Sequence, residues 1–217
     1  MSAALFDCTD PAQREAGIAS AISALKGGRL VVMPTDTVYG IGADAFDGEA
    51  VASLLAAKGR GRDMPVPVLV GSWHTIQGLV YSVPNSAKEL IRAFWPGALS
   101  LVVRQAPSLQ WDLGDANGTV MLRMPLHPVA IELLREVGPM AVSSANISGR
   151  PASVTAEQAR DQLGDLVEVY LDGGPAEQKA ASTIVDLTGA HPRVLRQGPV
   201  TLETIADVLG VEAGTLT

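Results

Sequence analysis

Behind Asp10-Pro11 the apolar residues Ile18, Ile22 and Leu25 recur at helical spacing, with Asp10 suited to an N-cap and Pro11 to the first helical position. A helix is therefore predicted to run from there to Gly27-Gly28. Arg29-Leu30-Val31-Val32-Met33 then reads as a buried strand closed by Pro34, and residues 35–42 as a polar loop punctuated by glycine. A second helix is expected over 49–57, stopping near Gly59 and Gly61. Residues 65–70 are strand-like, with Pro65 and Pro67 pointing to an edge or an irregular entry. Further on, the pattern predicts helices over 86–94, 127–137, 156–163 and 202–209. It predicts strands over 99–103, 119–124, 140–143, 167–171, 183–187 and 194–196.

Helices and strands interleave throughout, but two hairpin-like runs of strands interrupt the alternation. That pattern implies an α/β fold built on a twisted mixed sheet, parallel in part and antiparallel in part, flanked by helices. No repeat or linker divides the chain, so one domain is expected over 1–217, its core about 12–210, with no second C-terminal domain. Residues 172–181 carry little apolar material and are the candidate mobile loop.

Composition agrees with a packed domain. Hydrophobic residues make up 47% and charged residues 18%, which excludes a disordered chain. Aromatic residues are only 4%, so the core must be built from Ala, Val, Leu and Ile. The single cysteine, Cys8, leaves no intramolecular disulfide and no thiolate zinc site. The start lacks a basic segment followed by an apolar run, and no apolar stretch approaches the roughly 18 residues of a membrane span. A cytoplasmic protein without membrane contact is the expectation. The formal charge of −7 is opposite to that of most proteins that hold nucleic-acid backbones, so basic residues must matter locally.

Four segments read as chemistry as well as packing. Pro34-Thr-Asp-Thr-Val-Tyr-Gly-Ile-Gly42 places hydroxyls where a buried strand ends, suited either to a polar ligand or to a capping turn. Lys58-Gly-Arg-Gly-Arg62 puts three cations at a helix C-terminus. The helix dipole accounts for one or two of them, and phosphate or carboxylate binding would account for all. It is not a Walker A loop. In Thr119-Val-Met-Leu-Arg-Met-Pro125, alternation sets Thr119, Met121 and Arg123 on one face and Val120, Leu122 and Met124 on the other. An arginine there must be paired or face a wet groove. Ser143-Ser-Ala-Asn-Ile-Ser-Gly-Arg-Pro151 offers neutral donors and acceptors, or a serine turn. His74, His127 and His191 form no ligand-spaced pair, and no nucleophile elbow occurs.

Taken in order, these segments resemble the YrdC-like family, the threonylcarbamoyl-AMP synthases. The resemblance extends through Phe94-Trp-Pro-Gly-Ala-Leu-Ser-Leu, Ser182-Thr-Ile-Val-Asp and Val194-Leu-Arg-Gln-Gly. It implies a concave, locally positive active-site surface and the formation of L-threonylcarbamoyladenylate and pyrophosphate from L-threonine, bicarbonate and ATP, for threonylcarbamoyladenosine modification of tRNA. The family's catalytic signature falls on Lys58, Arg60, Ser144 and Asn146. Threonine contacts carry over to Thr35, Arg123, Ser144 and Ser182, and nucleotide contacts to Lys58, Arg60, Thr119, Asn146 and Arg196. The resemblance implies a nucleotidyltransferase using Mg²⁺ brought with ATP, no protein-built metal site and no tightly bound organic cofactor. Implied partners are a downstream threonylcarbamoyl transferase complex and a tRNA or double-stranded RNA contact.

This chain departs from the family at two positions. Gly61-Arg62 stands where many members have proline after the arginine, and Leu69 stands where several have histidine. Two other readings stay open at this point: an RNA-binding module without catalysis, and a carbamoyl-adenylate-forming domain. The residue at the head of the strand after 172–181 is the implied threonine contact Ser182, which makes that loop a candidate lid over a hydrolysable anhydride.

Overall fold

The computed structural model describes residues 3–217. Strand β1 (Ala4–Asp7) leads into helix α1 (Pro11–Lys26), whose N-cap Asp10 accepts a hydrogen bond from the Gln13 amide. There follow β2 (Val31–Met33), β3 (Gly40–Asp44), α2 (Gly48–Ala57), β4 (Val68–Leu69), the short α3 (Ile76–Leu79) and α4 (Asn85–Phe94). The chain continues as β5 (Leu99–Arg104), β6 (Thr119–Arg123), α5 (Pro128–Val137), β7 (Met140–Ser144), α6 (Ala156–Leu163) and β8 (Val169–Asp172). It closes with β9 (Thr183–Asp186), β10 (Arg193–Arg196) and α7 (Leu202–Leu209). No helix among the described residues is long and apolar enough to cross a membrane.

All ten strands join one sheet in the order β1-β8-β2-β3-β7-β4-β6-β5-β9-β10. The pairs β1/β8, β2/β8, β4/β6 and β5/β9 are parallel, and β2/β3, β3/β7, β4/β7, β5/β6 and β9/β10 are antiparallel. The mixed sheet expected from the interrupted alternation is present.

Its two faces are covered unequally, and that decides where the site lies. One face carries the main core, in which Ile41, Val68, Leu122 and Ala141 pack with Leu54 of α2, Leu90 of α4 and Ile205 of α7. On the other face α1 and α5 meet over β1, β2, β8 and the start of β7, with Val31, Met33, Val169 and Leu133 among the buried residues. That second layer stops short of β5, β6 and β9. The part of the sheet left bare is the floor of a cleft.

Several elements differ from the sequence reading. Strand β1 was not expected, and Gly40-Ile41-Gly42 belongs to β3 rather than to a loop. A loop is read there because glycine is a turn residue. The reason for glycine is instead steric: a Cβ on Gly40 would stand 2.7 Å from Val142 Cγ1, and one on Gly42 2.5 Å from Met140 Cε. The strand read over 65–70 shrinks to Val68–Leu69 and lies inside the sheet, between β7 and β6, rather than at an edge. The Pro67 carbonyl still accepts the Val142 amide at 2.8 Å, so a residue without an N–H is tolerated where only its acceptor is needed.

The stretch 172–181 is better tied down than its composition suggests. The Tyr39 hydroxyl donates to Gly174 O at 2.6 Å, lies 3.0 Å from Asp172 Oδ1, and accepts the Gly173 amide. The Ala176 amide donates to Val154 O and the Gln178 amide to Asp36 O, and Ala176 is buried. Residues 179–181 carry no such anchor, so they are the part of the candidate lid least tied to the rest of the fold.

Candidate active site

The cleft floor follows from the period of two along strands. Pro67 and Leu69, Met121 and Arg123, Val142 and Ser144, and Ser182 and Ile184 are i, i+2 pairs on one sheet face, and all line a cavity of about 230 Å³. The alternation read in 119–124 therefore separates cleft from core: Met121 and Arg123 face the cavity, while Val120, Leu122 and Met124 enter the main core. Of the residues singled out from the sequence, Thr35, Arg60, Arg123, Ser144, Ser182 and Arg196 are brought together here.

Arg123 is the best-fixed of them. Its Nε donates to Gly97 O at 2.9 Å, Nη1 to Thr37 Oγ1 at 2.8 Å and Nη2 to Asp36 Oδ1 at 2.6 Å. Both members of the ion pair are buried, with side-chain exposures of 8% and 5%. Asp36 Oδ1 also accepts the Leu126 amide at 2.9 Å, so one carboxylate fixes both the guanidinium and the entry to α5. Thr35 Oγ1 donates to Val38 O and lies 3.0 Å from Thr37 Oγ1, locking the same turn.

On the far wall, Arg196 donates through Nε and Nη2 to Ser182 O at 3.0 and 2.8 Å. The Ser182 hydroxyl is 2.8 Å from that of Ser100. Gly198 lets this segment turn close to β9: a Cβ there would lie 2.2 Å from Ala181 O. Burial lowers the pKa of Arg60, Arg123 and Arg196 below the usual guanidinium value, Asp36 partly offsetting this for Arg123. All three stay charged, because arginine does not lose its proton in a protein.

Lys58 and Asn146 do not line the cavity. Lys58 caps the C-terminus of α2, is only 2% exposed, and donates through Nζ to the backbone carbonyls of Ser144 and Asn146, the latter at 2.7 Å. The Asn146 amide group donates to Ile147 O and Arg150 O. Together they clamp the loop after α2 to the loop after β7, which places Arg60 beside Ser143, Nη1 to Oγ 3.2 Å. The helix-end position read from the sequence stands, and Lys58 is inside the protein. Thr119 is at the far end of β6 from Arg123, its hydroxyl donating to Ala116 O at 2.7 Å, and it stays outside the cavity.

Asp36, Thr37, Ser100 and Ser143 stand within the segments read from the sequence, but none of them was given a role there. Asp36 left a signal: it is the acid in the buried hydroxyl-rich segment of a chain whose strand arginine needs a partner. Ser100 left a weaker one, a lone hydroxyl between Leu99 and Leu101 on a strand. Among the described residues no cluster of three or more His, Cys, Asp or Glu could hold a metal.

Lys58 makes a pH prediction. Burial, with Arg60 close by, pushes its ammonium down to about 8 from 10.5. Above about 8 the folded protein carries Lys58 neutral while the unfolded chain still binds the proton, so this group makes stability rise with pH up to about 10.5. Cys8, raised by burial to about 11, and Tyr170, raised to about 12, act in the opposite direction once their unfolded values of 9.0 and 10.0 are passed. A net rise is therefore expected between about pH 8 and 9 in urea unfolding. Lys58→Met should lose that rise, and an unchanged slope in the variant would refute the buried charge.

The fold and cleft define an α/β protein on a mixed sheet, with guanidinium groups and hydroxyls converging on one sheet face. The family of Sua5, YciO and YrdC, described as Telomere recombination, matches residues 23–198, and this chain belongs to it. A putative threonylcarbamoyl-AMP synthase of Mycobacterium tuberculosis is 80% identical over 211 residues, 97% of each chain. The crystal structure of Pyrococcus abyssi Sua5 complexed with L-threonine is 36% identical with a TM-score of 0.86, covering 89% of this chain and 57% of the archaeal one. Escherichia coli YciO, at 23% identity and a TM-score of 0.81, covers 94% of this chain and 100% of its own, and shows the shared fold.

Proposed function

We propose that this chain is a nucleotidyltransferase that joins L-threonine, bicarbonate and ATP into L-threonylcarbamoyl-AMP, releasing pyrophosphate. The observation that carries this reading is the convergence of Arg60, Arg123 and Arg196 with the hydroxyls of Thr35, Ser144 and Ser182 in one cavity of about 230 Å³. Cations concentrated inside a small cavity suit small anions better than an extended nucleic-acid backbone. The names of the relatives, threonylcarbamoyl-AMP synthase, support it.

The threonine carboxylate takes the guanidinium N–H groups of Arg123 left over from Asp36, Thr37 and Gly97, and the substrate hydroxyl takes Ser182 or Thr35. The threonine amine attacks bicarbonate carbon, expelling water and giving N-carboxythreonine. Its new carboxylate attacks the α-phosphorus, and pyrophosphate leaves. Each species is anionic, so fixed cations that stabilise charge in the transition state account for the catalysis, and no covalent nucleophile is required. Arg60 and Arg196 are assigned to the phosphates. Mg²⁺ would be carried by the triphosphate as part of the substrate and would offset phosphate charge there. Among the described residues no carboxylate lines the cavity, and Asp36 behind it is committed to Arg123, so the donor set here would suit a metal held by phosphate oxygens. The product anhydride hydrolyses readily, and a transferase that modifies tRNA is the proposed acceptor.

The test is pyrophosphate release with ATP, labelled bicarbonate and a panel of amino acids. Threonine should outcompete valine by up to about 10⁴-fold, since a site that hydrogen-bonds a substrate hydroxyl rejects an analogue lacking it, and serine, which lacks only the methyl group, by about 10–200-fold. Equal turnover of valine would refute the assignment.

A further inference from the structure

On the sheet face opposite the cleft, the segment around α3 and the helix α4 enclose a groove of about 350 Å³, within the roughly 300–1,000 Å³ of small-ligand sites. Two of the chain's three tryptophans, Trp73 and Trp95, stand in its walls. Trp73 is 46% exposed, and its ring is backed by His74, with centroids 3.6 Å apart. Below, Ile76 and Ile91 join the groove to a deeper recess that reaches Leu122 in the main core.

The groove's rim carries the charge. Lys88, Ile91 and Arg92 share one ridge of α4, which sets two cations a helical turn apart beside apolar surface. Among the described residues neither forms an ion pair, and Lys88 reaches only Asn85 Oδ1, at 3.3 Å. In a chain of formal charge −7, an aromatic-walled groove edged by two unneutralised cations runs against the background.

We propose that this groove is a second binding site, separate from the cleft, for a small anion that carries an aromatic ring. The ring lies against Trp73 and Trp95, and the anionic group takes Lys88 and Arg92 through charge-assisted hydrogen bonds. An aromatic carboxylate and a nucleoside monophosphate both carry this chemistry. The site is placed to act on the cleft, because Trp95 precedes Pro96-Gly97. The Gly97 carbonyl accepts Arg123 Nε at 2.9 Å, and its N–H donates to Met124 O at 2.8 Å.

The test titrates the full chain with 3-phenylpropionate, with its neutral amide and, separately, with AMP, following tryptophan emission excited at a wavelength the probes do not absorb. No tryptophan lines the cleft, but Trp95 lies two residues from Gly97, so the Trp73→Ala and Arg60→Ala variants separate a groove signal from binding among the arginines. A saturable change is expected with at least one of the two anions. The Lys88→Ala, Arg92→Ala double variant should weaken that binding by about tenfold or more. Trp73→Ala should remove most of the signal, and Arg60→Ala in the cleft should leave it unaltered. Response to phenylpropionate alone or to AMP alone supports the site and identifies its anion. No response to either, equal affinity for the amide, or equal affinity in the double variant would overturn it.

Discussion

Asp36→Ala is expected to cost about 3–5 kcal/mol of unfolding free energy and to abolish threonine-dependent turnover, the largest effect of any single change at the cleft. The variant leaves the Arg123 guanidinium buried without its counter-charge and frees the Leu126 amide at the entry to α5. Urea unfolding gives the stability. A double variant, Asp36→Leu with Arg123→Met, separates the two roles, because an apolar pair of similar volume often restores what a broken buried ion pair loses. It should regain most of the stability and none of the activity. A loss below about 1 kcal/mol in Asp36→Ala would mean that solvent already screens the pair.

Arg60→Ala should behave in the opposite way, losing about 10²–10³-fold in kcat, as expected when a group that stabilises transition-state charge is removed, with little change in stability. The reason is local. The Arg60 side chain makes one hydrogen bond among the described residues, to Ser143, and its Nε is buried without a partner, so the folded state gains little from this cation before a ligand arrives. Arg60→Lys should recover little, since an ammonium cannot reproduce a planar fork on phosphate oxygens. Pyrophosphate release measured beside urea unfolding decides it, and near-normal activity in the alanine variant would return Arg60 to a helix-capping role. Lys58→Ala is expected to fail differently, losing stability and activity together while still folding, because its ammonium ties two loops through backbone carbonyls.

The sequence by itself determined the elements whose signals are local. Asp10-Pro11 set the start of α1, the local pattern set α6 at 156–163, and the alternation in 119–124 set Met121 and Arg123 on one face of β6 and Val120 and Leu122 on the other. Each depends on a cap, a turn residue or a period of two, all carried by neighbours in the chain. The cleft residues were legible as types too, since an arginine within an apolar strand and hydroxyls at strand ends have few bland explanations.

Tertiary structure alone decided the rest, because those features depend on partners far apart in sequence. Asp36 meets Arg123 across 87 positions and Lys58 meets Asn146 across 88, and no periodicity records such a pairing. The two glycines of β3 look like loop residues until Val142 and Met140 are seen to fill the space where their Cβ atoms would stand. Strand β4 is kept inside the sheet by β6 and β7, although its own two residues and flanking prolines give no such signal. The cavity exists because α1 and α5 cover only part of one sheet face, and how far a layer of helices extends is a property of packing rather than of any one segment.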